Sequence, residues 1–383
     1  MTWWSIVKQE LKQIFLLDPK RVMYLFGASL AYALLFGALY SNHVVKTIPM
    51  AVYDEDQSQL SRALVQAFED SERYQVIAYT SSQEEMESYL REKEAYVAIA
   101  IPAHFSRDVK TGHAPSLLVN ANGANVAIAN TVISTAQEIM MGFTKETGSA
   151  LVEGIGQLPD PAMNKTAPID FRLRVLNNPT LSYLEFFVLG LAMAAFQQGI
   201  VLSVGASLLQ NRAMQLGSAS SFTILASRLL PYWGLGLVAY LLTLAVTIGT
   251  FDMPMRGHVL DLLLLGAAFA YAVAAMASVA AFLCKNEVDF TRFSLFYSIT
   301  AFVLSGYTWP LHAMGNGVLV FSYLTPLTYF ADTVRNLTLV GYDAALFQHI
   351  AALLLMGSLC FAGAVLLYSR QANKEKATFS PLV

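Results

Sequence analysis

The sequence predicts an α-helical polytopic membrane protein with six transmembrane helices and one α/β domain inserted outside the membrane. Three observations carry that prediction. Only 13% of the 383 residues are charged and 55% are hydrophobic, where a soluble domain carries about 25% charged residues. The charges are also unevenly spread: residues 43–176 hold 17 acidic and 11 basic side chains, more than half of the chain's total. The remainder contains six apolar stretches, at about 22–41, 183–208, 229–250, 259–283, 293–311 and 350–368. Each approaches the roughly 20 residues needed to cross about 30 Å of hydrocarbon. A single soluble enzyme and a uniformly apolar bundle are both excluded.

Ahead of the first span, Trp4, Val7, Leu11, Ile14 and Phe15 recur at spacings of three and four, with Lys8 and Lys12 on another face. That spacing predicts an amphipathic helix over residues 3–17, lying on the membrane surface or packed on the bundle and ended by Asp18-Pro19. The first apolar run is too long for the core of a cleaved signal peptide and is expected to remain as a span. The fifth stretch is interrupted by Gly306 and Pro310. Behind it, residues 318–329 are apolar but too short to cross and are broken by Pro326, which predicts a re-entrant or interfacial hairpin.

Six spans place both termini on one side. Lys8, Lys12, Lys20, Arg21, Arg212, Arg228, Lys285, Arg292, Arg370, Lys374 and Lys376 fall there, against Arg256 and Arg335 on the other side outside the large domain. The asymmetry predicts cytoplasmic termini and an outward-facing domain. The expected organisation is therefore a cytoplasmic helix (1–21), a first span (22–42), the external domain (43–176), a five-helix region with a re-entrant segment near 312–334 (177–369) and a cytoplasmic tail (370–383).

In the external domain, strands are expected at 48–53, 74–79, 96–101 and 116–120. Helices capped by Ser58 and Ser82 lie between them, and Glu85 stands in capping-box position. A longer helix is expected over about 125–144 and a linker over 154–180. Strands alternating with helices argue a small α/β layer.

Several function classes fall away. Net charge is −3, which gives no nucleic-acid footprint. Cys284 and Cys360 both sit at apolar runs, and the external domain has no cysteine to bridge. No His-Glu-x-x-His, Gly-x-Ser-x-Gly or Gly-x-x-x-x-Gly-Lys-Ser/Thr occurs, and His104 and His113 read as surface residues. No span carries a central charge. Glu185 and Asp261 lie near helix ends, which argues against an ion-driven carrier. Gln197 and Gln198 are the deepest strong polar pair, with Ser203, Ser305 and Tyr307 weaker candidates to line a path. Energy for transport would have to come from a second chain, docked on the small cytoplasmic surface.

At this point the chain resembles the permease subunits of ABC-2 type ATP-binding-cassette exporters (type V exporter-like), in the branch with a large extracytoplasmic domain after the first span. Lys8–Arg21 (KQELKQIFLLDPKR) is similar to the family's N-terminal helix with its Asp-Pro-basic turn. Ile48–Phe68 (IPMAVYDEDQSQLSRALVQAF) and Ile101–Asp108 (IPAHFSRD) resemble external-domain segments. Ser305–Pro310 (SGYTWP), Pro326–Tyr329 (PLTY), Arg335 and Gly341 resemble the signature between the last two spans. The resemblance implies a dimer of permease chains in the bacterial cytoplasmic membrane over two ATPase subunits, which bind the ATP and Mg; this chain would hold no cofactor. It implies docking of the ATPase at Lys8, Lys12, Asp18, Arg212 and Gln215, and a substrate path near Gln197, Gln198, Ser203, Ser305 and Tyr307. The loop after the second span departs from the family: residues 210–218 read Gln-Asn-Arg-Ala-Met-Gln-Leu-Gly-Ser in place of an acidic-basic-Glu-x-Gly-Thr stretch. That departure motivates the alternative of a non-transporting sensor or assembly protein on the same scaffold. The external domain's own partner stays open between cargo, a periplasmic adaptor and its twin.

Overall fold

The computed structural model describes residues 3–41, 45–111, 113–124, 126–153, 176–178, 182–210 and 220–379. It divides into two compact units, Val44–Val175 and the remainder, Met1–His43 with Leu176–Val383.

The smaller unit alternates strand and helix: β1 (Ile48–Asp54), α3 (Gln59–Glu69), β2 (Tyr74–Thr80), α4 (Gln83–Arg91), β3 (Val97–Ile101), α5 (Phe105–Lys110), β4 (Leu118–Ala121) and α6 (Val126–Glu153). Helices α1 and α2 precede it in the chain, over Trp3–Lys12 and Lys20–Leu39. The sheet order is β2-β1-β3-β4. β1 runs parallel to both neighbours, Met50 opposite Val97 and Ile48 opposite Tyr74, while β4 closes antiparallel with Ala121 opposite Val97. Helices cover both faces of the central strands, so these read as apolar runs and not as alternations. On one face Met50, Val52, Val97, Ile99 and Ile101 meet Leu64, Val65 and Phe68 of α3 and Val132 of α6. On the other, Ala51 and Ala98 leave room for Met86 of α4. The expected caps form: Ser58 Oγ accepts from Ser61 N at 3.0 Å and Ser82 Oγ from Glu85 N at 3.1 Å. The last helix starts where the pattern predicted but runs on to Glu153.

The larger unit is helical. Among the described residues, five helices are long and apolar enough to cross a membrane: α2, α7 (Leu184–Gln210), α8 (Ser221–Phe251), α9 (Val259–Leu283) and the one that begins at Leu346. The remaining expected span forms a shorter helix, α10 (Glu287–Leu304). It begins six residues earlier than the apolar stretch, capped by Asn286, and carries Glu287, Asp289 and Arg292 in its first turns. It stops before residue 311 because Gly306 adopts φ +85°, a left-handed conformation that ends the helix. Two short helices follow, α11 (Asn316–Tyr323) and α12 (Ala331–Leu339), separated by a turn at Pro326–Tyr329. Neither is long enough to cross. The last helix, α13, spans Leu346–Phe379.

Helix α7 is the most enclosed of the five long helices and touches α2, α8, α9, α10 and α12. Between apolar helices in lipid there is no hydrophobic drive to associate, so close packing at small residues has to hold them. Gly199 does this against α2: a Cβ there would lie 2.2 Å from the Tyr24 carbonyl oxygen. Toward α8 and α9, Phe196 joins Tyr240, Phe269 and Phe330 in an aromatic cluster, with Phe269 and Phe330 stacked at 3.8 Å.

Candidate functional site

The strongest concentration of buried charge in the larger unit lies at one end of α2, α7 and α8. It begins with α1. Ile6, Val7, Glu10 and Ile14 are buried, while Trp4 and Phe15 of the apolar stripe are about half exposed. The reason is Glu10, which shares a face with Ile6 and Ile14 at four-residue spacing and finds cationic partners on the bundle. Asp18, held extended by the following proline, turns the chain from α1 into α2.

Glu10, Arg21 and Arg228 are each no more than 1% exposed. Arg228 Nε donates to Glu10 Oε1 at 3.0 Å. Glu10 Oε2 accepts from Tyr232 Oη at 3.0 Å and Ser207 Oγ at 3.1 Å, with Arg21 Nη1 at 3.5 Å. Arg21 Nη1 also donates to Tyr232 Oη at 2.7 Å, Nη2 to Gln210 Oε1 at 2.8 Å and Nε to Asp18 Oδ2 at 3.2 Å. Arg228 Nη2 donates to the Ser207 carbonyl and, at 3.2 Å, to Ser207 Oγ. Two cations thus face one fully buried carboxylate and one at the edge. Buried charges persist only when paired and hydrogen-bonded, and this cluster meets that condition almost completely. The exception is Arg228 Nη1, which has no partner among the described residues.

The cluster holds both flanks of residues 211–219. Ser207 and Gln210 end α7 on one side, and Arg228 and Tyr232 stand in the third and fourth turns of α8 on the other. Of the expected docking residues, Lys8 and Lys12 are exposed on α1 and Asp18 belongs to the cluster. Arg212 and Gln215 lie outside the described residues.

The expected path residues occupy several environments. Gln198 clasps α10, its Nε2 donating to Ser294 Oγ at 3.2 Å and its Oε1 accepting from Ser298. Gln197, one residue before it, is fully buried, and neither amide atom has a partner among the described residues. Ser203 Oγ donates to the Arg21 carbonyl at 3.3 Å. Ser305 caps the end of α10, bonding the Phe302 carbonyl at 2.7 Å. Tyr307 is buried against Gly190, where a Cβ would sit 2.2 Å from its ring, and its hydroxyl donates to the Phe186 carbonyl. The Arg335 guanidinium lies 4.4 Å from the Tyr307 ring centroid and 5.0 Å from that of Phe186. Among the described residues no group of three His, Cys, Asp or Glu could hold a metal ion.

A helical bundle, an inserted α/β unit and a charge cluster at the base of the spans fit a transport permease, and comparison with known proteins decides the family. Residues 20–366 match the family described as ABC-2 family transporter protein. The chain belongs to that family. This ABC-2 permease is 21% identical over 344 residues to the probable multidrug ABC transporter permease YbhR of Escherichia coli K12, covering 88% of this chain and 89% of that protein. It is 23% identical over 340 residues to the inner membrane transport permease YhhJ of the same organism, covering 85% and 86%. Against ABC transporter G family member 20 of Dictyostelium discoideum it is 20% identical over 308 residues, covering 77% of this chain and 40% of that one.

Sequence reasoning named Arg21 and Arg228 only as topology signals and missed Glu10. The signal was present: a carboxylate at position 10 interrupts the Ile6–Ile14 line on a helix whose other face already satisfies its polar needs with lysines.

Proposed function

We propose that this permease is the membrane subunit of an ATP-driven exporter that moves a hydrophobic or amphipathic compound out across the bacterial cytoplasmic membrane. The reading is supported first by the buried cluster around Glu10. A push on residues 211–219 or on α1 reaches α2, α7 and α8 together, because Arg21, Arg228, Ser207 and Tyr232 meet on one carboxylate. A separate ATPase, holding ATP and Mg, docks there, so the cluster and both termini face the cytoplasm and residues 43–176 face outward. The basic residues gathered at that end agree with this orientation. Two such chains pair, and the substrate passes along α7 and α10 near Gln197 and Gln198. The name of one relative, a probable multidrug ABC transporter permease, supports a drug-like compound as the cargo.

The experiment is purification of the chain from its host in mild detergent, with identification of co-purifying chains and an ATPase assay. A stoichiometric nucleotide-binding chain with vanadate-sensitive activity is expected. Charge reversal at Arg212, or deletion of residues 210–218, should abolish that association in a folded protein. A lone chain without ATPase would overturn the exporter reading in favour of a non-transporting sensor.

A further inference from the structure

We propose that the outward face of α1 is a binding site for the headgroups of anionic phospholipids. The segment from Trp3 to Arg21 carries two carboxylates and four basic side chains. The cluster pairs both acids: Glu10 is fully buried, and Asp18, half-buried at the cluster's edge, is held by Arg21, itself fully buried. Three exposed cations remain, Lys8, Lys12 and Lys20. A segment of mixed charge in sequence therefore presents exposed charges of mainly one sign.

Around these lysines the same segment exposes Trp4, Phe15, Leu16 and Leu17, the last two at 72% and 60%. Lys8 Nζ stands 5.8 Å from the Trp4 ring centroid, so cation and indole share one face. The membrane-crossing helix α2 begins at Lys20, which sets this face at the level where chain meets headgroup. Apolar residues there enter the acyl boundary while lysine stems extend their ammonium groups toward phosphate. A zwitterionic lipid satisfies only the apolar part. A lipid with net negative charge satisfies both, by about five-fold for each lysine near the surface. The proposal needs only that the chain spans a membrane; it gives the exposed lysines of this segment to lipid and leaves residues 211–219 as the docking surface of the exporter reading.

The test uses the full chain in vesicles of equal phosphatidylcholine and phosphatidylglycerol, extracted gently, with retained lipids counted by native mass spectrometry. Phosphatidylglycerol should be retained preferentially, more weakly at high salt. K8Q, K8Q/K12Q and K8Q/K12Q/K20Q should lower that preference in steps of about five-fold. The substituted side chains are exposed and outside the cluster, so thermal unfolding should be unchanged; should the triple variant fold poorly, the single and double steps decide. Equal retention of the two lipids by the unmodified chain would overturn the proposal. So would loss of preference to added inorganic phosphate alone at matched ionic strength, which would mark a site for free phosphate. Loss of a co-purifying ATPase with an unmoved lipid ratio would overturn it too, assigning the lysines to the protein partner.

Discussion

Replacing Glu10 by alanine tests the buried cluster most directly. The substitution removes the acceptor for Arg228 Nε at 3.0 Å, Tyr232 Oη at 3.0 Å and Ser207 Oγ at 3.1 Å. Arg21 keeps Asp18, Gln210 and Tyr232, but Arg228 loses its only carboxylate while its Nη1 already lacks a partner among the described residues. Leaving one buried charge uncompensated costs about 3–5 kcal/mol, a large share of a typical stability of about 5–15 kcal/mol. Arg228→Met alone should cost less, because Glu10 retains two hydroxyl donors and Arg21. Combining Glu10→Met with Arg228→Met removes both the charge and its counter-charge, and the double variant should recover at least about 2 kcal/mol relative to the sum of the singles. The assay is reversible unfolding of the purified chain in detergent. Additive single and double effects, or a Glu10→Ala cost below about 1 kcal/mol, would refute the claim that these side chains form one energetic unit.

Three further outcomes are expected. Gly199→Ala should destabilise by about 1–3 kcal/mol, because its Cβ meets the Tyr24 backbone carbonyl at 2.2 Å, whereas Gly234→Ala, with nothing within 4 Å, should be neutral or stabilising; thermal unfolding in detergent checks the pair. In the α/β unit, the hydrogen bond from Tyr53 Oη, followed by that from Ala103 N, holds Glu55 below its ordinary pKa; burial pushes Asp56 upward, but donors at Ser58 and Ser106 outweigh it and bring it below its own. Both groups therefore contribute stability that is present above the unfolded carboxylate values of about 4 and is lost as pH falls through the lower folded values. Hydrogen exchange over residues 103–111 should be faster in Asp56→Asn than in the unmodified chain at pH 7, and the difference should shrink as pH falls below the ordinary carboxylate value of about 4. Gln197→Leu should stabilise the bundle by about 1–3 kcal/mol, since a buried amide without partners costs about that much, while lowering transport; unaltered transport would take Gln197 off the path.

Much of the fold was legible because its determinants are periodic. Apolar length marks α2, α7, α8 and α9, and alternation with the Ser58 and Ser82 caps marks the α/β unit. The limits of legibility lay where a single residue overrides a pattern. Asn286 starts α10 early, so the stretch at 293–311, whose interruption at Gly306 was legible, became a helix with a charged beginning as well as a turn at its end. In α1, the apolar stripe left open whether the helix lies on the membrane or packs on the bundle, and the pairing of Glu10 with Arg21 and Arg228 sets which face meets the bundle. That pairing joins residues 218 apart in sequence, a separation no local pattern can carry. Gln197 and Gln198 were equivalent as sequence, but only the second meets the serines of α10.

The cluster's location argues for a role beyond stability. Charges buried in this way are weak stabilisers, since apolar side chains of similar volume often do as well or better. The α1 face already has Ile6, Val7 and Ile14 to hold it, so a leucine at position 10 would serve packing alone. What the carboxylate adds is direction: hydrogen bonds to Ser207, Tyr232 and Arg228 fix the register of α1 against α7 and α8 at both flanks of residues 211–219. Stability and coupling should therefore separate in the Glu10→Met/Arg228→Met variant. On the proposed exporter reading, it is expected to unfold near the unmodified temperature and to bind the partner ATPase, which would then hydrolyse ATP without substrate moving. If that variant transports at the normal rate per ATP hydrolysed, the cluster is packing only and the coupling path runs elsewhere.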